Sequence, residues 1–325
     1  MPEERSDATA VTMRSFGDTL VARVVERRSQ IVLGLDPDPV ALWPGGEEPD
    51  ARDGEVAGVG AGASSPARRA ARAVEIHCKA LIDAAGPACV AVKPQLACFE
   101  RLGAAGRNAL EGVVGHARAA GLLVIADGKR GDVDVSAQAY AQALFGGVPT
   151  PFGEVAGLGA DMATVNPLMG IDALEPFVTA ARAAGAGVLA LVRTSNPGAS
   201  DVQDLECAGG ETVWERLAGV VDELGRPGIG TDGLSDVGAV VGATAPGHIA
   251  RARELMPHAV FLLPGVGAQG GRVEDLAPAF APGRAGGLVS ASRSIAGAYL
   301  LSGDDPATAA RAEAERLRTL AWKLA

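Results

Sequence analysis

Eight short runs of apolar residues, each followed by a segment long enough for a helix, limit the fold of this 325-residue chain more than any other feature. The runs are apolar at consecutive positions rather than at alternate ones, which is typical of parallel strands covered by helices. We predict strands at 31–35, 89–92, 122–126, 162–165, 188–192, 237–241, 260–263 and 287–290, and helices at 16–28, 67–84, 97–119, 136–144, 172–184, 211–224, 248–256, 273–279 and 306–324. Eight such units favour a single (β/α)₈ TIM barrel, framed by an N-terminal and a C-terminal helix, over an open doubly wound sheet.

The composition excludes several classes of protein. A hydrophobic fraction of 48% is too high for a disordered chain. Lys and Arg number 29 against 39 Asp and Glu, which gives a net charge of −10, and no basic block suited to nucleic acid or an anionic membrane surface is present. The first residues lack the pattern of a signal peptide, and no apolar run reaches membrane-spanning length. The four cysteines form no C-x-x-C pair, so we expect reduced thiols in a cytoplasmic protein.

Two segments interrupt the alternation of strands and helices within an expected single domain at 1–325. The segment 44–66 is rich in Gly, Ala and acidic residues and has no period, so we expect a surface insertion there. The segment 194–210 is a long polar loop after the fifth strand. In a barrel this loop lies on the face that carries active sites, so we expect it to act as a lid.

Charged residues follow the predicted strands at their carboxyl ends, which all meet at one mouth of a barrel. Asp127 and Lys129 are two positions apart and would point the same way from an extended strand end. With Asp36, Lys93 and Asp132 they would form an array that must interleave its charges, because unpaired buried charges are costly. Such an array can hold Lys129 protonated beside a bound anion. The alternative is a ring of salt bridges that only closes the end of the barrel.

A glycine-rich loop at 265–271 follows the seventh strand, and Arg293 follows the eighth. This is where barrels bind phosphate through backbone N–H groups and a helix N-terminus. The glycines permit close approach, the Gln269 amide can donate, and Arg293 can bind an oxyanion with two hydrogen bonds. The pattern predicts a phosphate site. We find no metal-ligand set and no dinucleotide-binding fingerprint with its ribose-binding acid.

Together these motifs resemble the orotidine 5′-phosphate decarboxylase family, in its longer bacterial subgroup. The resemblance runs from the first strand to the eighth, and the Asp-x-Lys-x-x-Asp run with an upstream lysine is its most specific part. The matching motifs are Gly34-Leu35-Asp36-Pro37, Val92-Lys93-Pro94-Gln95, Asp127-Gly128-Lys129-Arg130-Gly131-Asp132, Val192-Arg193-Thr194-Ser195-Asn196-Pro197, Pro264-Gly265-Val266-Gly267 continuing to Gly271, and Ser292-Arg293.

The resemblance implies decarboxylation of orotidine 5′-monophosphate to uridine 5′-monophosphate without cofactor or metal, in a cytoplasmic homodimer. Asp36 and Lys93 would contact the ribose hydroxyls, with Lys93 also paired to Asp127. Asp127 would lie near the substrate carboxylate and Lys129 would donate the proton. Asp132 would reach into the site of the neighbouring subunit.

The resemblance also assigns the rest of the substrate contacts. Thr194 would lie by the pyrimidine, and Gln269 and Arg293 would hold the 5′-phosphate. Where the family usually has Ile-Gly-Ser-Thr after its second aspartate, this chain has Val-Asp-Val-Ser, so Ser136 keeps a hydroxyl at the last position and Asp134 adds a negative charge. Gly128 also stands where alanine is more usual.

The residues alone leave two other functions open. One is a related barrel lyase that uses the same Asp-x-Lys-x-x-Asp pattern with Mg²⁺ on a sugar phosphate. The other is a non-catalytic barrel that binds a phosphorylated nucleotide as a sensor. Dependence of turnover on the metal separates the first from the decarboxylase, and the consequence of replacing Lys129 separates the second.

Overall fold

The computed structural model describes residues 15–44, 65–267 and 269–325. The predicted insertion at 44–66 falls almost wholly outside these residues, as does the segment on which the absence of a signal peptide was predicted. No helix within the described ranges combines the length and the apolar content that a membrane span requires.

Eight parallel strands close into one barrel, which confirms the predicted architecture. Each strand pairs with its neighbours in chain order, and the first pairs with the last to complete the ring. The strands are β1 (Ile31–Leu35), β2 (Ala91–Pro94), β3 (Leu123–Arg130), β4 (Met162–Val165), β5 (Gly187–Arg193), β6 (Val237–Val241), β7 (Phe261–Leu263) and β8 (Gly287–Ala291). β3 runs four residues beyond its predicted end at residue 126, so the Asp127 and Lys129 motif lies within the strand and not after it.

Helices surround the barrel and cover its amino end. The α-helices are Phe16–Arg27, Pro66–Ala85, Leu96–Glu100, Gly103–Ala119, Asp134–Phe145, Ile171–Ala183, Val213–Gly225, Pro246–Leu255, Arg293–Ala296, Tyr299–Ser302 and Pro306–Leu324. Short 3₁₀ helices occupy Gly86–Ala88, Pro197–Asp201, Arg226–Gly228, Val273–Phe280 and Arg284–Gly286.

Two local predictions were wrong, and one element was missed. The helix predicted at 97–119 is two helices, because Gly103 has φ +65°, which an α-helix cannot continue through. The helix predicted at 273–279 is a 3₁₀ helix, since Pro278 cannot donate a helical hydrogen bond. A small antiparallel hairpin of Gly147–Thr150 and Gly153–Ala156 was missed. Its strands are short and exposed and lack the continuous apolar run by which the barrel strands were recognised.

Two apolar layers hold the barrel together. Ile31 and Leu33 face outward and pack with the surrounding helices, whereas Val32 faces inward and packs in the barrel interior. The interior layer also contains Leu20 and Val24 of the first helix, which therefore closes the amino end of the barrel. The carboxyl end remains the open mouth.

Candidate active site

The inward-facing side chains change from apolar to polar as each strand approaches the mouth. On β1 the inward set passes from Val32 through Gly34 to Asp36, which is exposed just after the strand. On β2 it passes from Ala91 to Lys93, on β3 from Ile125 to Asp127, and on β4 from Met162 to Thr164, as the alternation along a strand requires. The charges therefore lie directly above the apolar interior of the barrel.

Asp127 is the centre of the charged array. Lys93 Nζ lies 2.5 Å from Asp127 Oδ2, and Lys129 Nζ lies 2.5 Å from Asp127 Oδ1. Thr164 Oγ1 donates to Oδ1 at 2.9 Å, and Gln95 Nε2 donates to Oδ2 at 3.3 Å. Each oxygen of the carboxylate thus accepts from two donors, which fixes its orientation.

Burial and charge act in opposite directions on this carboxyl. Burial raises the pKa of Asp127, but the positive charges and hydrogen bonds of Lys93 and Lys129 outweigh that effect and lower the pKa from 3.8 to about 2. Asp127 is therefore ionised throughout the neutral pH range.

The two lysines are presented differently to the mouth. The Lys93 side chain is only 8% exposed, whereas that of Lys129 is 44% exposed. Because one carboxylate holds both ammonium groups, Lys93 balances the buried charge and Lys129 is left accessible to a bound molecule. A fixed, accessible ammonium can stabilise negative charge that develops on a substrate atom and then donate a proton to it.

The glycine-rich loop on the other side of the mouth is built for close approach. Gly265, Gly267 and Gly270 have φ of 103°, 76° and 87°, a region that L side chains rarely adopt. Gly271 N donates to Gly265 O at 3.0 Å, and a Cβ at Gly271 would lie 2.8 Å from that oxygen. Gln269 is exposed and its Oε1 lies over Gly265, which places its side-chain amide at the loop.

Arg293 lies between this loop and the end of β1. It begins the short helix Arg293–Ala296, is exposed, and lines one cavity with Gly267 and another of about 400 Å³ with Asp36. A Cβ at Gly34 would lie 2.6 Å from Ser292 Cβ, so glycine is needed for β1 to pass this close to the residue before Arg293.

Thr194 follows β5 and is held by the loop predicted to be a lid. Gln203 Oε1 accepts from Thr194 N at 2.8 Å, and Gln203 Nε2 donates to Thr194 Oγ1 at 2.9 Å. Arg193 makes a two-point ion pair with Asp204, at 2.8 and 2.9 Å. These bonds tie the far part of the loop to the strand end, and movement of the loop stays a prediction.

Comparison with known proteins gives this geometry a family. Residues 30–312 match the family described as orotidine 5′-phosphate decarboxylase / HUMPS family. The chain belongs to that family. It is 41% identical over 282 residues to orotidine 5′-phosphate decarboxylase of Deinococcus radiodurans, covering 86% of this chain and 89% of the relative, and 36% identical over 305 residues to that of Roseiflexus castenholzii, covering 94% and 96%. The solved structure of Leishmania donovani OMP decarboxylase is 30% identical with a TM-score of 0.67, covering 94% of this chain and 99% of that one.

Membership in the family makes the two sequence departures interpretable. Asp134 has φ +48°, which explains why glycine is usual there, and aspartate is one of the few other residues that tolerates this conformation. A Cβ at Gly128 would lie 2.8 Å from Leu96 Cδ1, so the fully buried Leu96 fills the space of the usual alanine methyl.

Asp132 and Ser136 are not brought to the charged array in the described single chain. Asp132 Oδ1 accepts from Val133 N at 2.8 Å, and no hydrogen bond or ion pair joins it to Lys129 among the described residues. Ser136 is exposed in the first turn of the helix Asp134–Phe145. Both follow the end of β3, and neither makes a hydrogen bond to Asp127 among the described residues.

Sequence reasoning assigned no role to three polar side chains that contact predicted site residues: Gln95, Thr164 and Gln203. Gln95 was within a matched motif, and its position two residues after Lys93 was the signal that could have identified it. Thr164 and Gln203 gave no local signal, because their contacts with Asp127 and Thr194 depend on strand register and loop path. No cluster of three or more metal-ligating side chains is found in the part of the chain that the structure describes.

Proposed function

We propose that this protein decarboxylates orotidine 5′-monophosphate to uridine 5′-monophosphate, the last step of de novo pyrimidine synthesis. The observation that carries the proposal is the Lys93–Asp127–Lys129 array, with its accessible ammonium at the mouth of a barrel of this family. The two relatives named above, 36% and 41% identical to this chain, are orotidine 5′-phosphate decarboxylases, and the match covers nearly the whole length of each. This similarity favours decarboxylation over the reaction of a metal-dependent sugar-phosphate lyase.

The array supplies what the reaction requires. The bond between C6 of the pyrimidine and its carboxylate carbon breaks, CO₂ leaves, and the electron pair of that bond remains on C6. Lys129 stabilises this charge and transfers a proton from Nζ to C6, which completes uridine 5′-monophosphate. Asp127 and Lys93 hold the ammonium in place before the charge develops, so little reorganisation is needed in the transition state.

The remaining predicted site residues bind the parts of the substrate that do not react. Gln269 and Arg293 hold the 5′-phosphate against the glycine-rich loop, and Asp36 and Lys93 contact the ribose hydroxyls. Thr194 lies by the pyrimidine, and Ser136 adds a hydroxyl on the ribose side. Binding energy from the phosphate then supports alignment of C6 with Lys129, at a point remote from the phosphate itself.

The proposal includes a homodimer in which Asp132 completes the site of the partner. Asp132 makes no hydrogen bond or ion pair with Lys129 of its own chain among the described residues, and apolar side chains that follow it are exposed: Val133 and Val135 are 44% and 79% exposed. An exposed apolar surface next to a polar site residue suits contact with a second copy. The proposal also places the protein in the cytoplasm, and the free thiols of all four cysteines agree with a reducing compartment.

The direct test is to mix the purified protein with orotidine 5′-monophosphate and follow the loss of its ultraviolet absorbance. We expect turnover that persists in EDTA and is almost abolished by Lys129→Ala. Absence of turnover above the uncatalysed rate would refute the decarboxylase, and turnover abolished by EDTA and restored by Mg²⁺ would favour the metal-dependent alternative. Retention of nucleotide binding without any turnover would favour a sensor.

A second experiment tests the shared site. Lys129→Ala and Asp132→Ala chains, each inactive alone, are mixed and allowed to exchange subunits. A mixed dimer then contains one site with both residues intact, so random exchange restores up to about a quarter of the wild-type activity. Mass spectrometry shows whether the subunits have exchanged. If they have exchanged and no activity returns, a site shared through Asp132 is contradicted.

A further inference from the structure

Lys129 has a backbone conformation that its own side chain does not favour. Its φ is +47°, in the left-handed region that costs a non-glycine residue about 1 kcal/mol or more. Such a conformation persists only where the surroundings hold it. The contacts of the Lys129 backbone therefore matter for where its ammonium lies.

An irregularity in the barrel explains the conformation. Ala126 of β3 pairs with Ala163 of β4, and the next pair is Arg130 with Val165. Three residues on β3 therefore face one residue, Thr164, on β4. A bulge of this kind removes the regular ladder partners of the extra residues, and bulges are common next to active sites.

The side chain of Thr164 replaces the missing ladder partner. Thr164 Oγ1 accepts from Lys129 N at 3.0 Å and lies 2.9 Å from Asp127 Oδ1. The backbone N–H can only donate and the ionised carboxylate can only accept, so the hydroxyl must donate its hydrogen to Asp127. Thr164 is 1% exposed, so bulk solvent does not compete for either bond in the wild-type protein.

We propose that Thr164 is a positioning residue, whose hydroxyl holds the bulge of β3 so that Lys129 reaches both Asp127 and the reacting carbon of the substrate. This inference rests on the proposed function. Thr164 itself lies beneath the array and does not reach the mouth. Its hydroxyl joins the backbone of the proton donor to the same carboxylate oxygen that the Lys129 ammonium contacts.

The test compares Thr164→Val, which keeps the shape but lacks the hydroxyl, with Thr164→Ser, which keeps the hydroxyl. We expect Thr164→Val to lower kcat by about 10- to 100-fold, the effect of losing a hydrogen bond to a charged group. KM for orotidine 5′-monophosphate should change little, because the phosphate and ribose contacts lie on other strands. Thr164→Ser should restore kcat to near the wild-type value.

Ser235→Ala supplies a matched control at the closed end of the barrel. Ser235 is 2% exposed, and its hydroxyl likewise makes two hydrogen bonds, here both with backbone groups: it donates to Gly225 O at 2.9 Å and accepts from Val237 N at 3.0 Å. Its loss should lower the free energy of unfolding and leave kcat of the folded protein unchanged. An equal fall in kcat for Ser235→Ala and Thr164→Val would overturn the positioning role, as would failure of Thr164→Ser to restore kcat.

A readout independent of turnover separates this inference from the proposed function. Hydrogen–deuterium exchange at the Lys129 amide should accelerate in Thr164→Val and not in Thr164→Ser or Ser235→Ala. If the wild-type protein fails to decarboxylate, the proposed function falls, and exchange still shows whether the hydroxyl holds the bulge. Unchanged exchange in Thr164→Val would overturn the inference whatever the activity. If Thr164→Val does not fold, Thr164→Ala provides the same comparison.

Discussion

Asp127→Asn tests the central ion pairs of the site, because it removes the carboxylate that both Lys93 and Lys129 contact at 2.5 Å. The substitution keeps the size of the side chain and abolishes its charge. Lys93, with a side chain only 8% exposed, is then left without its partner. Removing one partner of a buried pair typically costs about 3–5 kcal/mol, so we expect a loss of that order in the free energy of unfolding at pH 7.

The pH dependence of this loss is the sharper expectation. The pKa of Asp127 is lowered from 3.8 to about 2 in the folded state, which contributes about 2 kcal/mol to stability at neutral pH. Because the folded pKa is the lower one, the contribution is complete above about pH 5 and is lost as the pH falls through 3.8 toward 2. About 1 kcal/mol of it is gone by pH 3. The difference in stability between wild type and Asp127→Asn should therefore shrink by about 1 kcal/mol between pH 7 and pH 3.

Urea unfolding followed by circular dichroism at several pH values measures this difference. Asp161→Asn is a suitable control, because burial raises the pKa of Asp161 although its carboxylate accepts a hydrogen bond from Val124 N at 2.8 Å. Its folded pKa is the higher one, so wild type should gain stability relative to Asp161→Asn as the pH falls. A difference between wild type and Asp127→Asn that stays constant from pH 7 to pH 3 would refute the ion-paired state of Asp127.

Three further substitutions test packing around the mouth and at the closed end of the barrel. Gly128→Ala should lower the free energy of unfolding by about 1 kcal/mol because the new methyl group meets Leu96. This loss should disappear when Leu96→Ala is already present. Additive losses in denaturant unfolding would contradict the contact. Gly34→Ala should lower the free energy of unfolding by about 1–3 kcal/mol and raise KM, since its methyl group would push against Ser292 beside the proposed phosphate site. An unchanged KM with intact stability would show that the strands are not in close contact there. Arg253→Met should lower the free energy of unfolding by about 3 kcal/mol or more without changing kcat of the folded protein, because the buried guanidinium donates to five backbone carbonyls. A loss below about 0.5 kcal/mol would show that water or neighbouring groups replace those bonds.

Much of the site could be placed from the sequence because strand ends are local features. Lys93 and Asp127 follow continuous apolar runs, and any parallel barrel brings the carboxyl ends of its strands to one mouth. The pairing of Lys93 with Asp127 was implied by the family resemblance, and the neighbouring positions of β2 and β3 in the barrel account for it. The glycine-rich loop and Arg293 were placed by the same rule.

The contacts of Thr164 and Gln203 could not be predicted in this way. Thr164 is 37 residues from Asp127 along the chain, and their hydrogen bond depends on a bulge in β3 that no periodic pattern reveals. Gln203 reaches Thr194 only because of the path taken by the loop between them. That Asp132 makes no bond to Lys129 among the described residues likewise depends on the turn that follows β3.

The amino-acid sequence by itself therefore determined the barrel, the end of it that carries the chemistry and the charges gathered there. These follow from hydrophobic periodicity and chain order, which are properties of neighbouring residues. Only the tertiary structure decided how those charges are held: the four donors on Asp127, the left-handed backbone of Lys129 and the hydroxyl of Thr164 beneath it. The physical reason is that a hydrogen bond is satisfied or lost over a few tenths of an ångström, and strand register and bulges set positions on that scale.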